Sequence, residues 1–187
     1  MKAIAFDAYG TLFDVFSVTA LGEELFPGKG NTLAQRWRLK QLQYSMLRSL
    51  MGRHRDFWPL TEDGLIYAAK SLGLDLSPDK RARLREAYLT LTAFPDVKPG
   101  LEALKRLGLR LGILSNSEPR MLEAAARSAG IVDLLDCILS VEEVKIFKPS
   151  PRVYWIQRHR DEPPEELGFT ADHTVRTITD LAALVRG

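Results

Sequence analysis

Residues 4–12 read IAFDAYGTL. From Lys2 to Phe6 the chain is a short, largely apolar run, which ends on an acid, Asp7, and meets a turn residue at Gly10. This pattern predicts a buried strand whose C-terminal end delivers a carboxylate into a loop. The carboxyl ends of the strands are where open α/β sheets place their sites.

Downstream, from about Phe16 to Thr92, the pattern turns helical, rich in Leu, Arg, Gln, Glu and Ala, and predicts an all-helical insertion. Within TLAQRWRLKQLQYSMLRSLM, Leu42, Met46 and Leu50, with Leu47 and Met51 beside them, make one helical side apolar, and Arg38 lies one turn before Leu42 on that stripe. Two more helices are expected, at about Thr61 to Leu72 behind a Thr61 cap, and at about Ser77 to Leu91, where Ser77 caps and Pro78 takes the first helical position. Gly73 and Asp75 separate them.

After FPDVKPG, strand and helix alternate again: a helix over Gly100 to Leu107 closed by Gly108, and a strand over Leu109 to Leu114. SNSEP then opens a helix over Arg120 to Ala129 closed by Gly130, and a short strand runs from Cys137 to Val141. Such alternation implies an α/β fold, a Rossmann-like parallel sheet with helices on both faces. The expected division is a discontinuous core of residues 1–15 and 93–187 carrying a helical cap of residues 16–92.

The chain has 187 residues, 45% hydrophobic and 27% charged, with a formal net charge of +2 and its basic residues scattered among acids. That balance does not suggest nucleic acid as a partner. The single cysteine, Cys137, excludes an internal disulfide, and the opening MKAIAF lacks a secretory pattern, so a cytoplasmic location is expected. The longest apolar run, near Leu109 to Leu114, is far short of the roughly 18 residues that suggest a membrane span. His54, His159 and His173 are widely separated, without ligand-like spacing, which argues against zinc.

Parallel strands end on one side, so Asp7, Ser115 with Asn116, and Lys148 are expected to converge at one sheet edge. An Asp after an apolar first strand, a Ser after the second and a Lys further on resemble the haloacid dehalogenase superfamily. Most of its members are magnesium-dependent phosphatases with a second Asp two residues after the nucleophile, a position held here by Tyr9. Loss of that carboxylate removes a proton donor and part of a Mg²⁺ shell, which disfavours phosphoryl transfer. DAYGTLFD, followed in order by WRLKQLQY, LRSLMGRHRDF, ILSNSEP and FKPSPRVY, resembles the L-2-haloacid dehalogenase branch over roughly residues 1 to 154.

The resemblance implies a metal- and cofactor-free reaction on a small (S)-2-haloacid. Halide leaves without a proton, so a carboxylate can displace it from the carbon next to the substrate carboxylate. Asp7 would attack, inverting that carbon and forming an ester, which water then hydrolyses to an (R)-2-hydroxy acid. Lys148 would keep Asp7 charged and oriented, Thr11 would position it by hydrogen bonding, and Arg38 would receive the substrate carboxylate or departing halide. Ser115 and Asn116, at a helix start, would bind the carboxylate. Tyr9, Leu42 and Phe57 would wall the substrate, with Tyr154 in support. A homodimer through the helical insertion is also implied.

Each residue has a plainer reading as well. A lone Asp after a strand usually serves a turn, Arg38 could be a snorkelling arginine and Lys148 a loop lysine. Ser115 and Asn116 could simply cap the next helix, and Phe57 and Leu42 could be packing within the insertion. The ordered set of strings favours the catalytic reading.

One departure stands out. Only residues 149–187 follow Lys148, too few for the remaining crossover units of about 30 residues each. The dehalogenases carry there a Ser-Ser-Asn string with an Asp three residues beyond, which helps activate the hydrolytic water, and this chain has none. The sequence reads as though a segment were missing between Tyr154 and Trp155, with the family's closing helix near Thr179 to Val185. The alkylating residues are present, whereas Asp161, Glu162 or Asp172 would have to replace the lost acid, and their spacing does not argue for them. A catalytically impaired relic and a phosphatase of the same superfamily are the alternative readings.

Overall fold

The structure, a computed structural model, describes residues 3–143, 145, 147–148, 155–156, 174–175 and 177–186. Strand β1 (Ala3–Phe6) pairs in parallel with β2 (Arg110–Ser115), and β2 with β3 (Cys137–Ser140), in the order β1-β2-β3. Phe6 lies beside Ile113 and Ser115 beside Ser140, so the carboxyl ends of β1 and β2 open together. A second parallel pair joins β4 (Trp155–Ile156) to β5 (Thr174–Val175). This is the expected α/β fold.

The sheet is packed mainly on one face. Ile4, Phe6, Leu111, Ile113 and Ser115 are buried, whereas Ala3, Ala5, Arg110, Leu114, Cys137 and Leu139 alternate with them and are exposed. Strand side chains alternate faces, so these exposed positions make one row of the sheet's other side.

Between Val15 and Ala87 every regular element is helical: a 3-10 turn at Val15–Val18, α1 (Thr19–Leu25), α2 (Gly30–Leu50), α3 (Phe57–Ser71) and α4 (Pro78–Ala87). The chain leaves and re-enters through a short antiparallel ladder. Asp14 N donates to Thr92 O at 2.8 Å and Phe94 N to Leu12 O at 3.0 Å, around a bridge of Phe13 with Ala93. Helices α5 (Val97–Arg106), α6 (Pro119–Ser128) and α7 (Ile178–Arg186), with 3-10 turns at Val132–Leu134 and Val141–Glu143, complete the described elements.

Several helices begin where propensity alone does not place them. α3 starts four residues before the expected Thr61 cap, because its first N–H groups find carboxylates from distant sequence. Phe57 N donates to Glu142 Oε1 at 3.1 Å and Trp58 N to Glu118 Oε1 at 2.9 Å. Those acceptors satisfy orphan donors and face the positive helix end. Thr61 is instead fully buried inside the helix. α2 is started by Glu23, whose carboxylate accepts from Gly28 N at 2.7 Å and Asn31 N at 3.2 Å. Gly30 has to be glycine there, since an added Cβ would come within 2.3 Å of Glu23 N. α4 has the expected Ser77 cap and Pro78, but ends at Ala87 rather than Leu91. α5 begins at Val97 with Pro99 inside its first turn, where a missing N–H costs nothing.

The apolar stripe of α2 points outward. Its buried side is Leu33, Ala34, Trp37, Gln41 and Ser45, whereas Leu39, Leu42, Met46, Leu47 and Leu50 are exposed.

Candidate active site

Asp7 leaves β1 at the open end of the sheet, and its side chain is 42% exposed, accessible to a small reactant. The loop after it turns sharply. Gly10, at φ 93°, takes a backbone conformation that L side chains rarely adopt, and the N–H groups of Leu12 and Phe13 close back on Ala8 O at 2.8 and 2.9 Å. Thr11 lies half-buried in this turn, its N–H 3.3 Å from Ala8 O.

Lys148 Nζ lies 2.6 Å from Asp7 Oδ1 and also donates to the Leu114 carbonyl at the end of β2. Its backbone N–H donates to Asn116 Oδ1 at 2.7 Å. One acceptor position of Asn116 is therefore taken up in holding the loop that carries Lys148. A partly exposed ion pair contributes only about 0–1 kcal/mol to stability. Its consequence here is orientation: an ammonium fixed by two acceptors holds one oxygen of the carboxylate in place.

Ser115 is buried, and its Oγ accepts from Ser117 N at 3.2 Å. Ser117 in turn is held by Ser140, whose Oγ donates to Ser117 O at 2.7 Å, and its own Oγ lies 3.4 Å from Tyr9 Oη. The Ser-Asn-Ser string and Ser140 thus build one cross-strand support under the site. Ser117 and Ser140 were not legible as site residues, because the pairing of β2 with β3 creates their contact.

Tyr9 is buried and stacks on Phe57 at 6.2 Å between ring centroids with 17° between planes, with Phe13 and Tyr88 tilted against it. Burial pushes the Tyr9 phenol well above its ordinary range. Tyr88 is likewise pushed up by burial, to about 12, against a smaller downward pull from the Arg38 charge. Both stay neutral, which keeps the wall uncharged beside Asp7. Phe57 is fully packed, whereas Leu42 is 45% exposed on the outward side of α2. Tyr154 lies outside the described residues, as do Asp161, Glu162 and Asp172.

Arg38 reaches from α2 to the loop after Asp7. One guanidinium nitrogen donates to Tyr9 O at 3.1 Å, the other to Gln41 Oε1 at 2.7 Å. The insertion therefore touches the residue two after Asp7, and two cations, Arg38 and Lys148, flank the loop that carries it.

A further cluster joins the insertion to the region after β3. His54 Nε2 lies 2.8 Å from Glu142 Oε2 and 3.7 Å from Asp56, with Lys145 at 3.5 Å from Glu142 and 3.6 Å from Asp56. His54, Asp56 and Glu142 are the one His/Cys/Asp/Glu group among the described residues close enough to share a cation. Sequence spacing could not reveal it, since Glu142 is 88 positions from His54. Lys145 already supplies a positive charge there. His54 also packs on Phe147 at 5.0 Å, and Phe147 on Phe57 at 6.2 Å, so an aromatic row runs from this cluster to Tyr9.

Comparison with known proteins places this arrangement in a family. Residues 1–155 match the model of the haloacid dehalogenase-like hydrolases. A (S)-2-haloacid dehalogenase of Pseudomonas sp. strain YL is 49% identical over 154 residues, 82% of this chain and 66% of that protein. Among solved structures, an L-2-haloacid dehalogenase superposes with a TM-score of 0.94 at 37% identity, covering 100% of this chain and 99% of the other. The Xanthobacter autotrophicus L-2-haloacid dehalogenase with chloropropionic acid covalently bound gives 0.89 at 32% identity, again covering 100% and 99%. The chain belongs to the haloacid dehalogenase-like hydrolases, in the branch of the L-2-haloacid dehalogenases. It spans just under two thirds of the length of the Pseudomonas relative.

Proposed function

We propose that this protein dehalogenates small (S)-2-haloacids through an ester on Asp7, without a metal. The observation that carries this reading is the Asp7 carboxylate held by the Lys148 ammonium at 2.6 Å, with Tyr9 where a second carboxylate would serve phosphoryl transfer. An Asp7 oxygen attacks the α-carbon opposite the carbon–halogen bond, the halide departs with the bonding pair, and the carbon inverts. Arg38 receives an anion of the reacting system, either the substrate carboxylate or the halide. Ser115 and Asn116 meet the substrate carboxylate, Thr11 steadies Asp7, and Tyr9 and Phe57 line the substrate, whereas Leu42, on the outward side of α2, is not placed to do so. Water then attacks the carbonyl carbon of the Asp7 ester and the (R)-2-hydroxy acid leaves.

Lys148 on Asp7 and Arg38 on the Tyr9 carbonyl of the following loop support an anionic substrate, and the covalently occupied relative supports an ester route. Chloride release from the separate enantiomers of 2-chloropropionate tests the reading. Release from the (S) form alone, abolished in Asp7→Asn, is the expected result; no release from either form, or equal release from Asp7→Asn, contradicts it.

A second reading is supported by the match ending at residue 155: a protein that alkylates Asp7 but fails to hydrolyse the ester. One chloride per chain followed by arrest would select it.

Residues 1–15 and 93–187 are read as the core and 16–92 as a cap, a division supported by the ladder of residues 12–14 with 92–94. The outward apolar side of α2 supports a homodimer packed through it. No helix among the described residues is long and apolar enough to cross a membrane. The free, exposed Cys137 suits a reducing compartment, and we place the enzyme in the cytoplasm.

A further inference from the structure

We propose that Gln41 and Thr61 are positioning residues that aim Arg38, joined to it in a one-way hydrogen-bond chain buried between α2 and α3. This rests on the reading of Arg38 as the anion receiver.

Both side chains are fully buried. Arg38 donates to Gln41 Oε1 at 2.7 Å, Gln41 Nε2 donates to Thr61 Oγ at 2.7 Å, and Thr61 Oγ donates to Phe57 O at 2.8 Å. The direction is forced at every link. A guanidinium has only donors, so it fixes the oxygen end of the Gln41 amide. The amide nitrogen must then face Thr61, whose single hydroxyl hydrogen is committed to the Phe57 carbonyl. Turning the amide over would set N–H against N–H at Arg38 and leave two oxygens facing each other at Thr61. The chain therefore has one arrangement, and it determines where one arm of the Arg38 fork rests. The other arm rests on Tyr9 O at 3.1 Å. Two anchors fix the plane of the guanidinium, and among the described residues its other N–H groups have no partner.

The helices are built to admit this chain. Gly64 of α3 faces Gln41 and Trp37, where an added Cβ would lie 3.3 Å from Gln41 N and 3.3 Å from Trp37 Cδ1. Trp37 Nε1 donates to the Thr61 carbonyl at 2.6 Å, which ties α3 to α2 at the same level. A hydrogen-bonded amide and hydroxyl buried in a helix interface add little net stability over apolar residues of similar shape. The pair is intelligible if it sets the geometry of a reactive group. The chain also ends on Phe57, whose ring stacks on Tyr9, so one network orders both Arg38 and part of the apolar wall.

The test follows alkylation of Asp7 by (S)-2-chloropropionate in single-turnover reactions, which does not depend on ester hydrolysis. Thr61→Val keeps the shape and removes the hydroxyl, Thr61→Ser keeps the hydroxyl, and Gln41→Met removes both amide links. Thr61→Val and Gln41→Met are expected to lower the apparent second-order rate of adduct formation by about 10- to 100-fold, with melting temperatures measured alongside. Thr61→Ser should restore it to within about threefold, and in an Arg38→Ala background Thr61→Val should cause no further loss, as expected of residues acting through one group. Wild-type rates in both Thr61→Val and Gln41→Met overturn the proposal. So does a loss that persists undiminished on top of Arg38→Ala. If Arg38→Ala itself alkylates at the wild-type rate, the reading of Arg38 falls instead. An unfolded Thr61→Val leaves the decision to Gln41→Met and the Thr61→Ser comparison.

Discussion

Lys148 is the ion-pair partner of Asp7. Its ammonium is fixed by Asp7 Oδ1 and by the Leu114 carbonyl, and its backbone by Asn116. Lys148→Ala is expected to lower the rate of Asp7 alkylation by about 10²- to 10³-fold, the scale of losing one preorganised charged donor, while shifting the melting temperature little, since a pair so exposed adds little stability. Rapid-quench adduct kinetics beside a melting curve check both halves. The meeting of Asp7 with Lys148 was legible in the sequence because both were expected to follow strands of one parallel sheet, and the candidates Tyr9 and Arg38 lie within strings that resemble a known branch. Gln41, Thr61, Ser117 and Glu142 were not legible, because each takes its role from a partner brought close by tertiary packing. Thr61 illustrates why. Thr has a real preference for helix starts, but carboxylates from Glu118 and Glu142 supply the start four residues earlier, which leaves Thr61 for the buried chain.

Among elements, β2 is the one that organises the site, and its N-terminal end is tied by Asp136. The Asp136 carboxylate accepts from Leu111 N at 2.6 Å and Lys105 Nζ at 2.9 Å. The Leu111 hydrogen bond, followed by Lys105, lowers the Asp136 pKa below its ordinary 3.8. A carboxylate with a lowered folded-state pKa contributes stability above its unfolded value and loses it as pH falls through the folded one. Asp136→Asn should therefore melt lower than wild type at pH 7, with the difference closing as pH drops below 3.8. A gap that is constant from pH 7 to acid would contradict this. Strand positions were read well from β2 and β3, since their short Leu and Ile runs, the first behind Gly108, leave little choice. The orientation of α2 was not. The sequence shows that the side with Leu42, Met46 and Leu50 is apolar but not that the narrower side with Trp37, Gln41 and Ser45 is the buried one. An apolar stripe shows only that a helix side seeks cover, not which neighbour covers it.

For the whole molecule, that outward stripe is the strongest sign of a second copy. In a homodimer packed through α2, Met46→Glu combined with Leu50→Glu should shift sedimentation from dimer to monomer without lowering Asp7 alkylation by more than a few-fold. A wild-type protein that sediments as a monomer at micromolar concentration would contradict the dimer. Below this level the α/β fold was legible as a whole: a first strand ending in Asp7, a helical insertion, then strand and helix in alternation. The uneven burial of the sheet was not legible, because Leu114 and Leu139 of its exposed row are as apolar as the residues that are buried.

Everything proposed for this protein depends on Asp7 acting as a nucleophile. The most direct test is intact-protein and peptide mass spectrometry after quenching a single turnover with (S)-2-chloropropionate. The expected result is a transient or persistent mass gain of one propionate, confined to the Asp7 peptide, absent in Asp7→Asn and matched by one chloride released per chain. No mass gain on any peptide and no chloride, from a protein shown to be folded, would contradict it.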